Sequence, residues 1–132
     1  MMEPQMNADE RRLNEITERI IDCAYAVANG LGCGFLEKVY ENAMVVDIAD
    51  TGLKVLPQHP VPVFYKGRLV GDYVADLLVE GCVLVELKAV KALDEIHLAQ
   101  CLNYLRATGL RICLLINFGS PKIEIKRVVN RF

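Results

Sequence analysis

The sequence predicts an α/β protein with a central mixed β-sheet flanked by helices on both faces. Two early segments repeat apolar residues at helical spacing, and a long segment from Lys54 to Val90 is rich in Val, Leu, Tyr and Phe. A third helical segment then separates it from two further apolar runs. The predicted order is therefore helix, helix, three or four strands, helix and two strands, which packs as layers around one sheet.

The first predicted helix covers residues 9–29, where apolar residues recur at intervals of three and four. Either Asn7 or Asp9 can cap its start, because both side chains accept hydrogen bonds from free N–H groups of a first turn. Asn29-Gly30 is expected to end it, since glycine readily follows a helix in the left-handed conformation. This segment is therefore predicted to be an amphipathic helix.

The second predicted helix runs from about Phe35 to Asp50 and ends at Thr51-Gly52. It carries Glu37, and Tyr40 and Glu41 follow three and four residues later, so all three can lie on one side of the helix. A solvated acidic face is one interpretation of this side. A functional role for Glu37 is the other.

The sheet is predicted to be mixed. The prolines at 57, 60 and 62 exclude a central strand there and place this part of the chain in a loop or at an edge. Lys66-Gly67 is typical of a hairpin turn. A helix between the VELK strand and the LLINF strand acts as a crossover, which makes those two strands parallel, whereas the earlier hairpin is antiparallel.

The third predicted helix begins at Asp94 or Asp94-Glu95 and ends at Gly109. Its apolar stripe is expected to consist of Leu98, Leu102 and Leu105. A second stripe on the same helix is polar and contains His97, Gln100 and Tyr104.

Length and composition predict one domain over residues 1–132, with residues 1–8 as a flexible N-terminus. The chain has 132 residues, 53% of them hydrophobic, but no run of eighteen apolar residues and no signal-peptide pattern. We therefore expect a soluble cytoplasmic protein that does not enter the membrane. An odd number of cysteines without a CxxC pair indicates buried reduced thiols rather than a zinc or iron-sulfur site; they stand at 23, 33, 82, 101 and 113.

Charge is distributed unevenly, although the net charge is only -2. Residues 1–80 hold seven Lys or Arg and thirteen Asp or Glu, whereas residues 81–132 hold eight and four. Such asymmetry between two halves of a chain is a weak indication of contact with a polyanion.

Three charged residues stand within two strand-like runs: Asp76, Glu86 and Lys88. Charged side chains are rarely buried unless they are paired or bind a metal, so this D…ExK pattern marks a candidate site. An exposed hairpin face that carries an ion pair is the alternative interpretation.

The turn between the two runs decides whether the carboxylates share a face. A two-residue turn at Glu80-Gly81 puts them on opposite faces, because side chains alternate along a strand. A three-residue turn through residues 79–81 pairs Leu78 with Cys82 and makes Asp76 and Glu86 diagonal neighbours, roughly 7 to 8 Å apart at the backbone. We predict this turn, or a bulge of equal parity.

Several motifs in order resemble those of the GxxExxY proteins, a family grouped with the PD-(D/E)xK nuclease superfamily. The segment Gly34 to Tyr40 fits GxxExxY, and FYKG, ADLLVE, VELKAV, IHLAQCLNYL and LLINFG follow it. The resemblance runs from roughly Ala8 to the C-terminus, although no proline precedes Asp76. It implies a restriction-endonuclease-like core and descent from metal-dependent nucleases.

The chemistry of the residues agrees with that resemblance. Two carboxylates, Asp76 and Glu86, and the backbone carbonyl of Leu87 are hard oxygen ligands suited to Mg²⁺ or Mn²⁺. Such a metal activates water and offsets charge on a scissile phosphate, and Lys88 can orient the water or stabilise the phosphate. Glu37 can extend the metal site, directly or through water.

Gln100 and Tyr104 resemble the QxxxY element of RecB-like exonucleases, in which these side chains help to fix the active site or the DNA backbone. Their spacing of four residues places both on one helix face. The alternative for Tyr104 is a half-buried packing residue with a hydrogen-bonded hydroxyl.

Three functions are compatible with the sequence. The first is a Mg²⁺-dependent phosphodiesterase that acts on DNA or RNA, and the intact D…ExK set favours it. The second is a nucleic-acid-binding domain that has lost turnover. The third is a protein-interaction domain, including a homodimer formed through a sheet edge or the N-terminal helix.

Overall fold

The computed structural model describes residues 7–130, which form three α-helices and five β-strands in the predicted order. The elements are α1 (Ala8–Leu31), α2 (Glu37–Asp50), β1 (Val55–Tyr65), β2 (Arg68–Val79), β3 (Val83–Lys88), α3 (Glu95–Thr108), β4 (Ile112–Asn117) and β5 (Glu124–Val129). Of the N-terminal segment predicted to be flexible, residues 1–6 lie outside the described residues. Asn7 caps α1 through a hydrogen bond of 2.8 Å from the Glu10 N–H, and Ala8 begins the helix.

α1 continues past the predicted stop at Asn29-Gly30 to Leu31, and Gly32 ends it. Gly30 keeps a helical backbone, whereas Gly32 takes a positive φ of 71° and its N–H bonds the Ala28 carbonyl at 2.9 Å. The helix stop is therefore set by the second glycine and not the first.

Tyr40 fixes the loop between α1 and α2. Its hydroxyl donates to the Gly32 carbonyl at 2.6 Å and accepts from the Phe35 N–H at 3.2 Å. Its fully buried ring stacks on Phe118 with centroids 4.6 Å apart. Because these contacts hold the loop through Phe35 outside the helix, α2 begins at Glu37, two residues later than predicted.

The five strands form one mixed sheet in the order β1-β2-β3-β4-β5. β3 and β4 are parallel and are joined by α3, whereas every other neighbouring pair is antiparallel, as predicted. The three prolines lie in β1, an edge strand, where a missing N–H costs no central ladder bond.

Helices cover both faces of the sheet. On one face α1 and α2 pack on the larger core, which includes Leu77, Val85 and Leu114 from the central strands. On the other face α3 packs on a smaller core with Leu84 and Leu115. β3 and β4 are buried on both sides, which explains their continuous apolar sequences.

The β2–β3 turn has the predicted parity but a different register. Val79 pairs with Val83, so the turn contains residues 80–82 rather than residues 79–81. Glu80 can take its positive φ of 52° because its carboxylate accepts from the Lys54 N–H at 2.6 Å and from the Arg12 guanidinium at 2.9 Å. These two donors also lower the pKa of Glu80, and they anchor the turn to α1 and to the start of β1.

β1 and β2 extend beyond the rest of the sheet. β2 pairs with β3 only through residues 77–79, whereas its pairing with β1 continues to the turn at Lys66-Gly67. We call residues 59–75, which form this two-stranded extension, the β arm. A two-stranded ribbon is marginally stable alone, and here it is supported by contacts with α3.

α3 begins at Asp94 and ends at Gly109, as predicted. The Asp94 carboxylate accepts from the Ile96 and His97 N–H groups, and His97 Nδ1 accepts from the Asp94 N–H. Of the predicted apolar stripe, Leu105 is buried in the smaller core and Leu98 packs against that core, whereas Leu102 is half-buried and does not join it. Packing against the β arm and β4 buries Cys101, Tyr104 and Leu105.

The cysteines differ in burial, contrary to the prediction that all five are buried. Cys33 is exposed in the loop after α1, and Cys82 is half-buried in the β2–β3 turn. The other three, Cys23, Cys101 and Cys113, are buried, and all five are free thiols. Within residues 7–130, no helix is both long and apolar enough to cross a membrane.

We expect Gly119→Ala to destabilise the protein by about 3 kcal/mol, because a Cβ there would lie 2.2 Å from the Val90 carbonyl oxygen. The three nearest atoms all belong to the backbone of Ala89 and Val90, so no flexible side chain can move away. Gly30→Ala is the matched control, since nothing lies within 4 Å of its Cβ, and alanine should stabilise α1 by up to about 1 kcal/mol. Urea denaturation measures both, and equal stability of the two variants would contradict the described packing at Gly119.

Candidate active site

Asp76 and Glu86 meet where β2 and β3 separate. Extending the register from Val79 and Val83 places the two acids directly opposite each other rather than diagonally. The Asp76 N–H donates to Glu86 Oε1 at 3.0 Å, and the Leu87 N–H donates to Asp76 Oδ2 at 2.8 Å. Each carboxylate thus binds a backbone N–H of the opposite strand, which holds both acids in fixed positions.

Glu86 is only 3% exposed, and its environment disfavours a second negative charge. Burial, followed by repulsion from Asp76, raises the pKa of Glu86 to about 8. The pKa of Asp76 is raised as well, first by burial and then by the nearby charges of Glu41 and Glu37, while the Leu87 N–H acts against this shift. Below about pH 8 Glu86 therefore keeps its proton in the folded protein, and a bound cation would favour the loss of that proton.

Lys88 is the last residue of β3 and lies beside the two acids. Its charge lowers the pKa of both Asp76 and Glu86, though less than burial raises them. In the described part of the chain it forms no ion pair within 4.0 Å. The structure therefore does not contain the hairpin ion pair that was the alternative interpretation.

One oxygen of each carboxylate remains available. Within residues 7–130, no hydrogen bond reaches Asp76 Oδ1 or Glu86 Oε2. Since no buried side-chain oxygen in that range lacks a partner, both atoms are in contact with solvent. No group of three or more His, Cys, Asp or Glu side chains is arranged as a metal site among the described residues. The available oxygen donors are therefore the two carboxylates and the backbone, including the Leu87 carbonyl named from the sequence.

The first turns of α2 bring two further acids close to Asp76. Glu37, the predicted member, is exposed, whereas Glu41 is only 4% exposed. Glu41 accepts from Gln58 Nε2 at 2.7 Å and is paired with Lys38. The sequence analysis did not select Glu41, although its position beside Tyr40 and three residues before the buried Met44 places it on the inner side of α2.

Gln58 is a second residue that the sequence analysis missed. It lies in β1 between the pairs Pro57–Leu77 and His59–Ala75, and therefore opposite Asp76. Its φ of 56° is left-handed, which interrupts the ladder at the level where β2 leaves β3. No feature of a single sequence marks this position, because the unusual backbone follows from the tertiary contact with Glu41.

α3 contributes the predicted polar pair on the other side of the acids. Gln100 Nε2 donates to the Tyr104 hydroxyl at 3.1 Å. Burial, together with the charges of Glu86 and Asp76, raises the pKa of Tyr104 to about 12, so its hydroxyl stays protonated. A hydrogen bond with Cys113 lowers the pKa of the Cys101 thiol, which is also close enough to Lys88 and Asp76 for their charges to affect that pKa. The structure thus gathers Asp76, Glu86, Lys88, Gln100 and Tyr104 in one region.

Comparison with known proteins now identifies the family. The profile of the PD-(D/E)XK nuclease superfamily matches residues 14–128. The chain belongs to this superfamily. The D…ExK set predicted from the sequence, Asp76, Glu86 and Lys88, lies within the matched residues, and Ala75 precedes Asp76.

Two solved structures are similar to this superfamily member. The crystal structure of SSO0001 has a TM-score of 0.54 at 16% identity, and the alignment covers 92% of this chain and 61% of SSO0001. An alkaline exonuclease from Laribacter hongkongensis, LHK-Exo, has a TM-score of 0.52 at 15% identity, with coverage of 95% and 72%. The shared fold confirms a restriction-endonuclease-like α/β core, and the chain spans only about three fifths of SSO0001. No curated protein sequence is significantly similar to the chain.

We expect the stability of this superfamily member to fall as pH rises from about 4.5 to 8. In the unfolded chain Glu86 loses its proton near 4.5, whereas in the folded protein it keeps it to about 8, so deprotonation progressively favours unfolding. The penalty reaches up to about 4 kcal/mol at the upper end. Glu86→Gln removes it while keeping an oxygen that accepts from the Asp76 N–H.

Urea denaturation gives the free energy of unfolding of the wild type and of Glu86→Gln at several pH values. The difference between the two free energies measures this effect. Glu18→Gln is the control, because Glu18 is an exposed acid on α1. A wild-type minus Glu86→Gln difference that is constant from pH 4.5 to 8 would show that Glu86 has an ordinary pKa.

Proposed function

We propose that this chain is a divalent-metal-dependent nuclease that hydrolyses phosphodiester bonds in DNA or RNA at Asp76, Glu86 and Lys88. One observation carries the proposal: a buried carboxylate, Glu86, and a half-buried one, Asp76, are held opposite each other with no cationic partner within 4.0 Å among the described residues, and each leaves one oxygen open to solvent. An arrangement that costs stability without an ion fits a site built to hold one.

The donor set fits Mg²⁺ or Mn²⁺. Both are hard cations that bind carboxylate and carbonyl oxygen and retain several waters, so two carboxylates and the Leu87 carbonyl suffice on the protein side. PD-(D/E)XK nucleases generally use divalent metals. When bound, the ion supplies a Lewis acid that polarises the scissile phosphate and lowers the pKa of water.

Each residue of the chain has a separate role in this proposal. Asp76 and Glu86 hold the ion, and the backbone N–H groups that bind them keep their free oxygens in place. Lys88 orients the attacking water or stabilises the negative charge that develops on the phosphate. Gln100 and Tyr104 bind the nucleic acid backbone as neutral hydrogen-bonding groups, since the hydroxyl of Tyr104 remains protonated.

The acids of α2 complete the site. Glu41 is buried and accepts a hydrogen bond from Gln58, which lies opposite Asp76 on the neighbouring strand. The charge of Glu41 raises the pKa of Asp76, after the larger effect of burial. In this proposal Glu37, which is exposed, binds a water of the ion rather than the ion itself. Within the superfamily we assign the chain to the GxxExxY proteins, because Gly34, Glu37 and Tyr40 match that motif and Tyr40 anchors the loop before α2.

Single-domain organisation over residues 1–132 and a cytoplasmic location also belong to this proposal. The five free cysteines fit a reducing compartment. Nucleic acid is the proposed partner, and self-association through a sheet edge is the competing use of the exposed β1 strand.

We expect Asp76→Asn, Glu86→Gln and Lys88→Met each to reduce cleavage of labelled oligonucleotides and plasmid DNA by about a hundredfold or more in Mg²⁺ or Mn²⁺. The two amide variants retain acceptors for the Leu87 and Asp76 N–H groups, so the fold should survive, which circular dichroism verifies. Lys91→Met is the matched control, because Lys91 is an exposed lysine three residues further along the chain.

Calorimetric titration of Mn²⁺ separates this proposal from its alternatives. Binding that disappears in Asp76→Asn, together with lost cleavage, supports the nuclease. Metal binding by a wild type that cleaves neither DNA nor RNA would indicate a nucleic-acid-binding domain without turnover. A wild type that binds no divalent metal would rule out the catalytic proposal.

We expect Glu41→Gln to reduce cleavage more than Glu37→Gln does, by about tenfold against a few-fold change, because only Glu41 is buried beside Asp76. The two substitutions are the same chemical change one helical turn apart, so each serves as the control for the other. Measuring cleavage across Mn²⁺ concentrations shows whether affinity for the ion or turnover changes. A larger loss in Glu37→Gln would reverse the assignment.

A further inference from the structure

A groove of about 740 Å³ lies between the β arm and α3. Its walls are Phe64 and Tyr73 from the arm and Gln100, Asn103, Tyr104 and Arg106 from α3, with aliphatic residues between them. This volume lies within the range of pockets that bind organic ligands of moderate size. The groove is present because the arm leaves the sheet after Ala75 and packs on α3 instead of on β3.

The groove borders the candidate active site through Tyr104, which packs in the same core cluster as Ala75, the neighbour of Asp76. Tyr104 lines it and also lies close enough to Glu86 and Asp76 for their charges to affect its hydroxyl. Gln100, the hydrogen-bonding partner of Tyr104, lines it as well. A molecule in the groove therefore contacts the two α3 residues, Gln100 and Tyr104, that lie nearest to the carboxylates in the candidate site.

Two aromatic rings in the groove are open to solvent. Phe64 is 62% exposed and Tyr73 is 52% exposed, and the Tyr73 ring lies 6.0 Å from that of Tyr104. Exposed aromatic side chains that border a cavity usually have a partner, since isolated exposure costs solvation free energy without benefit. Their flat faces are suited to stacking on another aromatic ring.

The polar residues of the groove indicate the kind of partner. None of the residues that line it is acidic, whereas α3 contributes the amides of Gln100 and Asn103 and the guanidinium of Arg106. Amides form hydrogen bonds with the edges of bases, and a guanidinium favours phosphate. The acid of this part of the arm, Asp72, does not line the groove.

We propose that this groove binds the unpaired bases of single-stranded nucleic acid and delivers the strand to the Asp76–Glu86 site. This inference rests on the proposed nuclease function and specifies its substrate as single-stranded. Unpaired bases expose the faces that Phe64 and Tyr73 can stack on, whereas a duplex keeps those faces within its own base stack. The same chemistry serves DNA and RNA, because every base has an aromatic face.

The test is fluorescence anisotropy of labelled 15-nucleotide oligothymidylate, oligouridylate and a 15-base-pair DNA duplex, in EDTA to prevent turnover. We expect Phe64→Ala and Tyr73→Ala each to weaken binding of the single strands by about tenfold. Tyr65→Ala is the matched control, since Tyr65 is 65% exposed on the same arm but does not line the groove, and its affinity should change less than twofold. The conservative variants Phe64→Tyr and Tyr73→Phe should bind as wild type does.

Three outcomes would overturn the inference: a wild type that binds no single strand, a duplex that binds as tightly as the single strands, or groove variants that behave like Tyr65→Ala. If wild type binds no oligonucleotide but sediments as a dimer that Phe64→Ala dissociates, the groove is instead an interface between copies. Where single strands do bind, the affinities for oligothymidylate and oligouridylate show whether the protein prefers DNA or RNA.

Asp76→Asn keeps this result distinct from the nuclease proposal, because it should bind single strands normally and cleave none. Aromatic-dependent binding by a wild type without cleavage would support the groove and contradict the nuclease. Cleavage that is unaffected by Phe64→Ala and Tyr73→Ala would support the nuclease and contradict the groove.

Discussion

The rest of the site depends on the mutual position of Asp76 and Glu86. The buried carboxylate of Glu86 and the half-buried one of Asp76 disfavour a charge on each other, and this arrangement persists because each binds a backbone N–H of the opposite strand. Those hydrogen bonds replace the regular ladder at the level where β2 separates from β3. The separation has two consequences, since it opens solvent access to the free carboxylate oxygens and it releases the β arm to pack on α3. The candidate site and the groove beside it therefore share one structural cause.

The two faces of the sheet contribute different chemistry to this point. From one face α2 contributes the negative charges of Glu37 and Glu41, and Gln58 of β1 donates a hydrogen bond to Glu41. From the other face α3 contributes neutral donors, with Tyr104 kept protonated by burial and by the acids themselves. The acids on the α2 side attract a cation, whereas the neutral groups of α3 do not repel a polyanionic strand. This division fits a superfamily whose members act on nucleic acid.

Some of these features were predictable from local sequence, and others were not. The parity of the β2–β3 turn was predicted from the expectation that Asp76 and Glu86 share a face, but its register differs by one residue because Arg12 and Lys54 hold Glu80 in the turn. Likewise, GxxExxY draws attention to Glu37, yet the buried acid is Glu41, one turn later. The α1 stop moved from Gly30 to Gly32 for a related reason, since Tyr40 binds the Gly32 carbonyl from α2. In each case a partner distant in sequence selected between locally equivalent choices.

The sequence by itself determined the order of elements, the mixed sheet, the exclusion of the three prolines from a central strand, and the D…ExK and QxxxY candidates, because periodicity, turn residues and charge within apolar runs are local properties. Only the tertiary structure decided that Asp76 stands directly opposite Glu86, that Glu41 and Gln58 join the site, and that Phe64 and Tyr73 border a groove. The physical reason is that these relations arise from the point at which β2 leaves β3. That point is fixed by hydrogen bonds that backbone N–H groups donate to carboxylates ten and eleven positions away, and by packing of the arm on a helix that follows later in the chain.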